Sequence, residues 1–187
     1  MSDLFPRTSA LRHGYRRDQV EEFFSRARQA YERAATPDSD LTPLDVRRAS
    51  FDLKRGGYST AAVDSALDRL EVAFAKRTRE TFVRQHGQDA WMRSLADRAQ
   101  VLYPRLRRPK GERFAHPSFI SRGYEAREVD KVLARVTTFF DRGEPLTADQ
   151  VRMVSFAQAT GKRAYDEATV DAFLARTVDI LLGVGEG

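Results

Sequence analysis

One pattern occurs four times in this chain of 187 residues: a tyrosine, a valine five positions later, and an acidic residue directly after the valine. A repeat unit of this size cannot bury its apolar face alone, so the copies must pack against one another or against neighbouring segments. The repetition therefore constrains the fold more than any other feature of the sequence. The four copies are Tyr15-Val20-Glu21, Tyr58-Val63-Asp64, Tyr124-Val129-Asp130 and Tyr165-Val170-Asp171.

Each copy predicts an amphipathic helix that begins shortly after its tyrosine. Apolar residues follow each valine at four and eleven positions, and residues with this spacing share one face of an α-helix. The acid falls in the first turns, where a negative charge interacts favourably with the helix dipole. Gly14, Gly57 and Gly123 precede three of the tyrosines, and we interpret them as sharp turns or positions of positive φ.

The segments before the tyrosines divide the copies into two pairs. Copies one and three share a Phe-x-x-x-Ser segment that begins at Phe5 and Phe114. Copies two and four begin with Leu-Thr, and Thr42 and Thr147 are predicted to cap short helices. We therefore predict a first repeat pair at residues 1–104 (copies 1–35 and 41–104), a basic linker at 105–112, and a second pair at 113–183 (copies 113–142 and 146–183).

Composition and pattern together predict an all-α protein with one long central helix. Apolar residues make up 41% of the chain, which is enough for a core, and alternating β-patterns are almost absent. Gly87 is the expected break in the central helix. We expect a cytoplasmic protein, because the sequence has no long uncharged apolar run, no signal-like N-terminus and no cysteine.

Residues with the spacing of a catalytic or metal site are not evident in the sequence. The three histidines, His13, His86 and His116, lie in unrelated contexts without metal-ligand spacing. Arg55-Gly56-Gly57 is too short for a phosphate-cradling loop. We therefore predict a protein that is not an enzyme and has no catalytic residues, no metal and no cofactor.

Copies two and four carry a recognisable signature. Leu41-Thr42-Pro43 and Phe51, followed by Arg55-Gly56-Gly57-Tyr58 and Val63-Asp64, resemble the N-terminal domain of the DivIVA family. The second such stretch, from Leu146-Thr147 through Gly161-Lys162-Arg163-Ala164-Tyr165 to Val170-Asp171, is similar to the actinobacterial form of that domain. The resemblance covers most of the chain as tandem DivIVA-like repeats.

The resemblance implies a scaffold of bacterial cell division or polar growth. Members of the family bind the cytoplasmic membrane face at septum or pole, form parallel coiled-coil dimers and recruit cell-division or cell-envelope proteins. A loop before the Gly-Tyr presents apolar and basic residues to lipid in the family. Carried over to this sequence, and extended by internal analogy, those membrane- or partner-binding loops contain Leu11, Arg12, Leu53, Lys54, Arg55, Phe119, Ile120, Arg122, Lys162 and Arg163.

Two departures from the family pattern affect these expectations. The inserting phenylalanine directly before Arg-Gly-Tyr is missing from every copy. The apolar stripe that would continue a coiled coil breaks at Arg77-Thr78 and again near Gly87. The chain is therefore expected either to pair its repeats with each other or to form a homodimer.

Three other readings of the same residues stay open at the level of sequence. Leu11, Leu53 and Ile120 could be core residues beside a solvated arginine face. The chain could be a soluble protein-interaction module without lipid contact. Nucleic-acid binding is the least favoured, because 27 acidic residues are interspersed with 32 basic ones and no one-sided basic stripe results.

Overall fold

Helices account for 61% of the residues that the computed structural model describes, which are 3–33 and 41–185. The predominantly helical prediction is confirmed. The all-α prediction is wrong, because two small antiparallel sheets accompany the eight α-helices of the described residues. A hinge that the sequence suggests at residues 36–40 lies outside the described residues.

The chain divides into two units, Met1–Gln85 and His86–Gly187. The sequence placed the boundary at residue 104, after the central helix rather than near its break. Residues 105–112, predicted as a linker, fall inside the second unit. Leu106 is buried there, and the backbone N–H of Gly111 donates a hydrogen bond to the Asp130 carboxylate.

The first unit contains a two-stranded sheet and three helices. Strand β1 pairs antiparallel with β2, with Gly14 opposite Lys54. Val20 and Val63, the valines of copies one and two, are fully buried beside Tyr58 in one cluster. The elements are β1 (His13–Tyr15), α1 (Arg17–Glu32), α2 (Pro43–Arg47), β2 (Leu53–Arg55) and α3 (Thr60–His86).

The second unit repeats this plan after two additional helices. Its three-stranded sheet has the order β4-β3-β5, and Gly123 lies opposite Ala159. Val129 and Val170, the valines of copies three and four, are fully buried in its core with Tyr165. The elements are α4 (Gln88–Gln100), α5 (Tyr103–Leu106), β3 (Arg122–Glu125), α6 (Ala126–Arg142), α7 (Ala148–Arg152), β4 (Gln158–Thr160), a 3₁₀ turn (Gly161–Arg163), β5 (Ala164–Tyr165) and α8 (Glu167–Val184).

The strands lie where the sequence predicted loops. Leu53–Arg55 forms β2, and Arg122 begins β3. Segments of two to four residues are too short to show the alternation that identifies a strand, which needs about four to eight residues. They are strands because each pairs with a segment from the other copy of its unit.

The helix signals read from the sequence correspond to observed helix ends. The hydroxyl oxygens of Thr42 and Thr147 accept hydrogen bonds at 3.2 Å from the backbone N–H groups three residues later, so both predicted caps are confirmed. Helix α3 extends over 27 residues and ends directly before Gly87, whose φ is +86°. Helix α3 continues through Arg77, whose guanidinium donates to carbonyls at the end of α1, including that of Ala30.

Candidate functional site

The repeated tyrosines and acids are hydrogen-bonded across the two copies of each unit. The Tyr58 hydroxyl donates to Glu21 Oε1 at 2.5 Å, and the Tyr165 hydroxyl donates to Asp130 Oδ1 at 3.3 Å. Both tyrosines are fully buried. The acid of one copy therefore satisfies the buried hydroxyl of its partner copy, a role that its position in the first helical turn did not indicate.

The half-buried tyrosines of copies one and three make the reciprocal contacts, with the acids of copies two and four. The Tyr124 hydroxyl lies 3.5 Å from Asp171 Oδ2. Burial, followed by the Asp171 charge, raises the pKa of Tyr124, and burial raises the pKa of Asp171 itself. Burial and a hydrogen bond to Asp64 raise the pKa of Tyr15 in the same way. All four copies thus contribute a tyrosine and an acid to reciprocal pairs between the two copies of each unit.

The glycines before the tyrosines are required by close backbone approach. Gly14, Gly57 and Gly123 do not have positive φ, so that part of the sequence interpretation is wrong. A β-carbon on Gly14 would lie 2.3 Å from the Tyr58 carbonyl oxygen, and one on Gly123 would lie 2.2 Å from that of Tyr165. The two copies of each unit cross at these glycines.

In the first unit an exposed turn lies directly before the close approach at Gly14. The Arg12 N–H donates to the Ser9 carbonyl at 2.9 Å, which closes the turn that carries Leu11. Leu11 is 84% exposed. The Gly56 N–H donates to the Arg12 carbonyl at 3.1 Å, which brings the preceding Arg55 beside the turn. We call Leu11, Arg12 and Arg55 the first tip.

The remaining predicted residues of the first unit lie along β2. Leu53 is 61% exposed, but it pairs with Tyr15 rather than with the turn. Since a strand rises about 3.3 Å per residue, Leu53 lies roughly 7 Å along the strand from Arg55. Lys54 lies between the two and is also exposed. The structure therefore brings Arg55 to the turn and leaves Leu53 at the far end of the ladder.

The second unit presents a more apolar turn at the same place in its fold. The Ser121 N–H donates to the Ser118 carbonyl at 2.9 Å, and the two residues between them, Phe119 and Ile120, are 89% and 90% exposed. The Phe119 ring lies over Gly161, where an added β-carbon would be 3.6 Å from ring Cδ2. The turn thus contacts the loop of the fourth copy.

Basic side chains surround this second turn. Arg122 begins β3 directly after it, opposite Thr160, and is exposed. Lys162 and Arg163 occupy the 3₁₀ turn that follows Thr160, and both are exposed. We call Phe119, Ile120, Arg122 and Lys162 the second tip.

The exposures decide one of the alternatives that the sequence left open. Leu11, Leu53 and Ile120 are exposed rather than packed, so their interpretation as core residues is wrong. A cluster of exposed apolar side chains rimmed by cations is typical of a surface that contacts a membrane or a partner. Sequence reasoning missed Arg17, whose side chain lines a cavity beside Arg55. Only the pairing of the copies could have indicated it.

Two features are absent from the described residues. In residues 3–33 and 41–185 no three histidine, cysteine or acidic side chains come together in a way that could hold a metal ion. None of the helices in that part of the chain is both long and apolar enough to cross a bilayer.

Comparison with protein-family models, with curated proteins and with solved structures gives no match to this chain.

Proposed function

We propose that this chain is a DivIVA-like, non-catalytic scaffold that binds the anionic cytoplasmic face of a bacterial membrane through its two tips. In this role it recruits cell-division or cell-envelope proteins to that surface. The observation that carries the proposal is the second tip, where Phe119 and Ile120 are almost fully exposed on one turn. Arg122 and Lys162 beside them supply positive charge for anionic headgroups.

The arrangement of the copies supports tandem DivIVA-like repeats. Each unit contains two copies whose strands pair antiparallel, and the two copies are also joined by tyrosine–acid hydrogen bonds. The exposed turn lies directly before the Gly-Tyr of copies one and three, where internal analogy with copies two and four predicts a membrane loop. Pairing within one chain supplies the crossed loops without a second chain.

The energetics favour binding that is weak at each tip. Full burial of a Phe or Ile side chain contributes about 1.5–3 kcal/mol, and a cation near an anionic leaflet contributes about 1 kcal/mol. One tip then gives low affinity, because partial insertion recovers only part of these values. Two tips on one chain increase the overall affinity when both engage the same surface.

We expect the double variant Phe119→Ser, Ile120→Ser to co-sediment with phosphatidylglycerol vesicles about tenfold or more weakly than the unmodified chain. The reason is that two exposed apolar side chains lose their burial in lipid, and about 1.4 kcal/mol corresponds to a factor of ten. Both positions lie on the surface, so the fold is expected to be unchanged. Titration of vesicles at fixed protein concentration measures the effect.

Met153→Ser is the matched control, since Met153 lies in the same unit, is 83% exposed and is not part of the tip. It should bind vesicles as the unmodified chain does. Equal binding by the double variant would rule out insertion of the second tip. A chain that binds no anionic vesicle supports the soluble interaction module instead, and salt-dependent DNA retention without vesicle binding supports a nucleic-acid role.

A further inference from the structure

The first unit contains a cavity whose charged lining is almost entirely basic. The cavity has a volume of about 280 Å³ and is lined by Arg17, Asp18, Lys54, Arg55 and the Gly56-Gly57 backbone. It lies between the first residues of α1 and the end of β2. It therefore adjoins the first tip. Arg55 is the one residue that belongs both to the first tip and to the lining of the cavity.

The acidic residues near the cavity are already neutralised by other arginines. Asp18 receives two hydrogen bonds from Arg16, with Nη2 at 2.5 Å from Oδ2 and Nε at 3.2 Å from Oδ1. Asp3 lies 2.6 Å from Arg7 Nη2 but 3.5 Å from Arg17 Nη1. Among residues 3–33 and 41–185, the one acid that Arg17 contacts is Asp3, through this long hydrogen-bonded ion pair.

The other two cations are less engaged still. Within residues 3–33 and 41–185, neither the Lys54 ammonium nor the Arg55 guanidinium has an ion-pair partner. Three cationic residues thus line one cavity, together with a single acid that is bonded to Arg16. A cleft lined mainly by charge of one sign concentrates ions of the opposite sign, so this lining favours an anion.

The second unit shows that the repeat fold does not demand this grouping. The backbone N–H of Arg16 donates to the Asp52 carbonyl at 2.8 Å, and the N–H of Glu125 donates to the Ala157 carbonyl at the same distance. Arg16 and Glu125 are therefore equivalent positions of the two units, and so are the residues that follow them. The strand registers align the remaining positions. By these registers Ala126, Ala159 and Thr160 occupy the positions of Arg17, Lys54 and Arg55. The two cations of the fourth copy's longer loop, Lys162 and Arg163, follow in the 3₁₀ turn.

The geometry points to a phosphate group with at most one ester bond, that is, inorganic phosphate or a phosphomonoester, as the ligand of this cavity. Arginine forks match phosphate oxygens in geometry, and lysine adds a point charge. A phosphomonoester carries a charge of about −1.5 to −2 near neutral pH, which suits three cations better than the single charge of a diester. The group can come from a free phosphate ion or from a lipid headgroup such as that of phosphatidic acid, and only the lipid source rests on the proposed function.

An NMR titration with inorganic phosphate tests the site on the full chain in solution. The amide signals of Gly56 and Gly57 should shift and saturate, while sodium chloride at equal ionic strength should not reproduce the shift. Arg17→Gln, a surface change, should weaken phosphate binding about tenfold, since one charge-assisted hydrogen bond is lost. Lys54→Gln should do the same, and Arg163→Gln in the second unit should leave it unchanged.

Vesicles distinguish the two sources of the phosphate. If the source is a lipid, the chain prefers phosphatidic acid over phosphatidylglycerol at matched surface potential, and Arg17→Gln removes that preference. Saturable phosphate binding without this preference assigns the site to the free ion. Shifts that chloride reproduces, or that survive both substitutions, overturn the phosphate site. Saturable phosphate binding in a chain that binds no vesicle overturns the membrane function and leaves the cavity site intact.

Discussion

Gly123→Ala is expected to destabilise the second unit by about 3 kcal/mol or more. The added β-carbon would lie 2.2 Å from the carbonyl oxygen and 3.0 Å from the carbonyl carbon of Tyr165. Both contacts are with backbone, so no side-chain rotation relieves them. Relief requires β3 to separate from β5, which breaks the pairing of Tyr124 with Tyr165.

Urea unfolding followed by Trp91 fluorescence measures this loss. Trp91 is the single tryptophan, is buried in the second unit and donates its indole N–H to the Gly183 carbonyl at 2.8 Å. We expect the unfolding midpoint to fall by about 1–3 M urea. Gly143→Ala is the control: its φ is +69° with no heavy atom within 4 Å, so it should cost only about 1–2 kcal/mol. An equal loss in both variants would contradict the close approach.

Asp130→Ala is expected to cost the second unit about 3–5 kcal/mol, because it leaves a buried charge without its partner. Asp130 accepts hydrogen bonds from the Gly111 N–H at 2.8 Å and from the Tyr165 hydroxyl at 3.3 Å. The guanidinium of Arg113, also buried, lies 3.6 Å from Asp130 Oδ1. All three groups lose an acceptor or counter-charge at once.

The double variant Asp130→Ala, Arg113→Leu should recover much of that loss. The first unit offers the precedent, because the Leu4 N–H donates to Tyr58 as the Arg113 N–H donates to Tyr165. Leu4 is 53% exposed whereas Arg113 is buried, so the precedent concerns the backbone contact; leucine at position 113 removes the unpaired charge. The same Trp91 unfolding assay gives the coupling between the two sites. A double variant as unstable as the sum of both single variants would show that the charge pair is not the cause.

The parts of the fold that depend on local sequence were predictable. The capping threonines Thr42 and Thr147 act within one turn, and the four repeated valines follow helical spacing, so neighbouring residues determine both. Gly87 ends α3 for the same local reason, since its φ of +86° favours glycine. The turn residues Leu11, Phe119 and Ile120 were candidates because the repeat aligned the segments before its tyrosines, but the sequence left open whether Leu11 and Ile120 were core residues.

The remaining features depend on which copy meets which. Strands of two to four residues carry no periodicity, so β1 to β5 could not be recognised without their partners. The contact of Tyr58 with Glu21 joins residues 37 positions apart, and the spacing within one copy does not indicate it. The basic cavity escaped detection for the same reason, since Arg17 and Lys54 meet only after β1 and β2 pair.

The most direct test of membrane contact uses the absence of cysteine from the chain, which permits a single labelled position. Ile120→Cys, coupled to an environment-sensitive fluorophore, reports on the second tip, and Met153→Cys reports on an exposed site away from it. On addition of phosphatidylglycerol vesicles we expect a blue shift and quenching by brominated lipid at position 120, with neither at position 153. An unchanged spectrum at position 120, or the same response at both positions, would contradict insertion of the tip into the membrane.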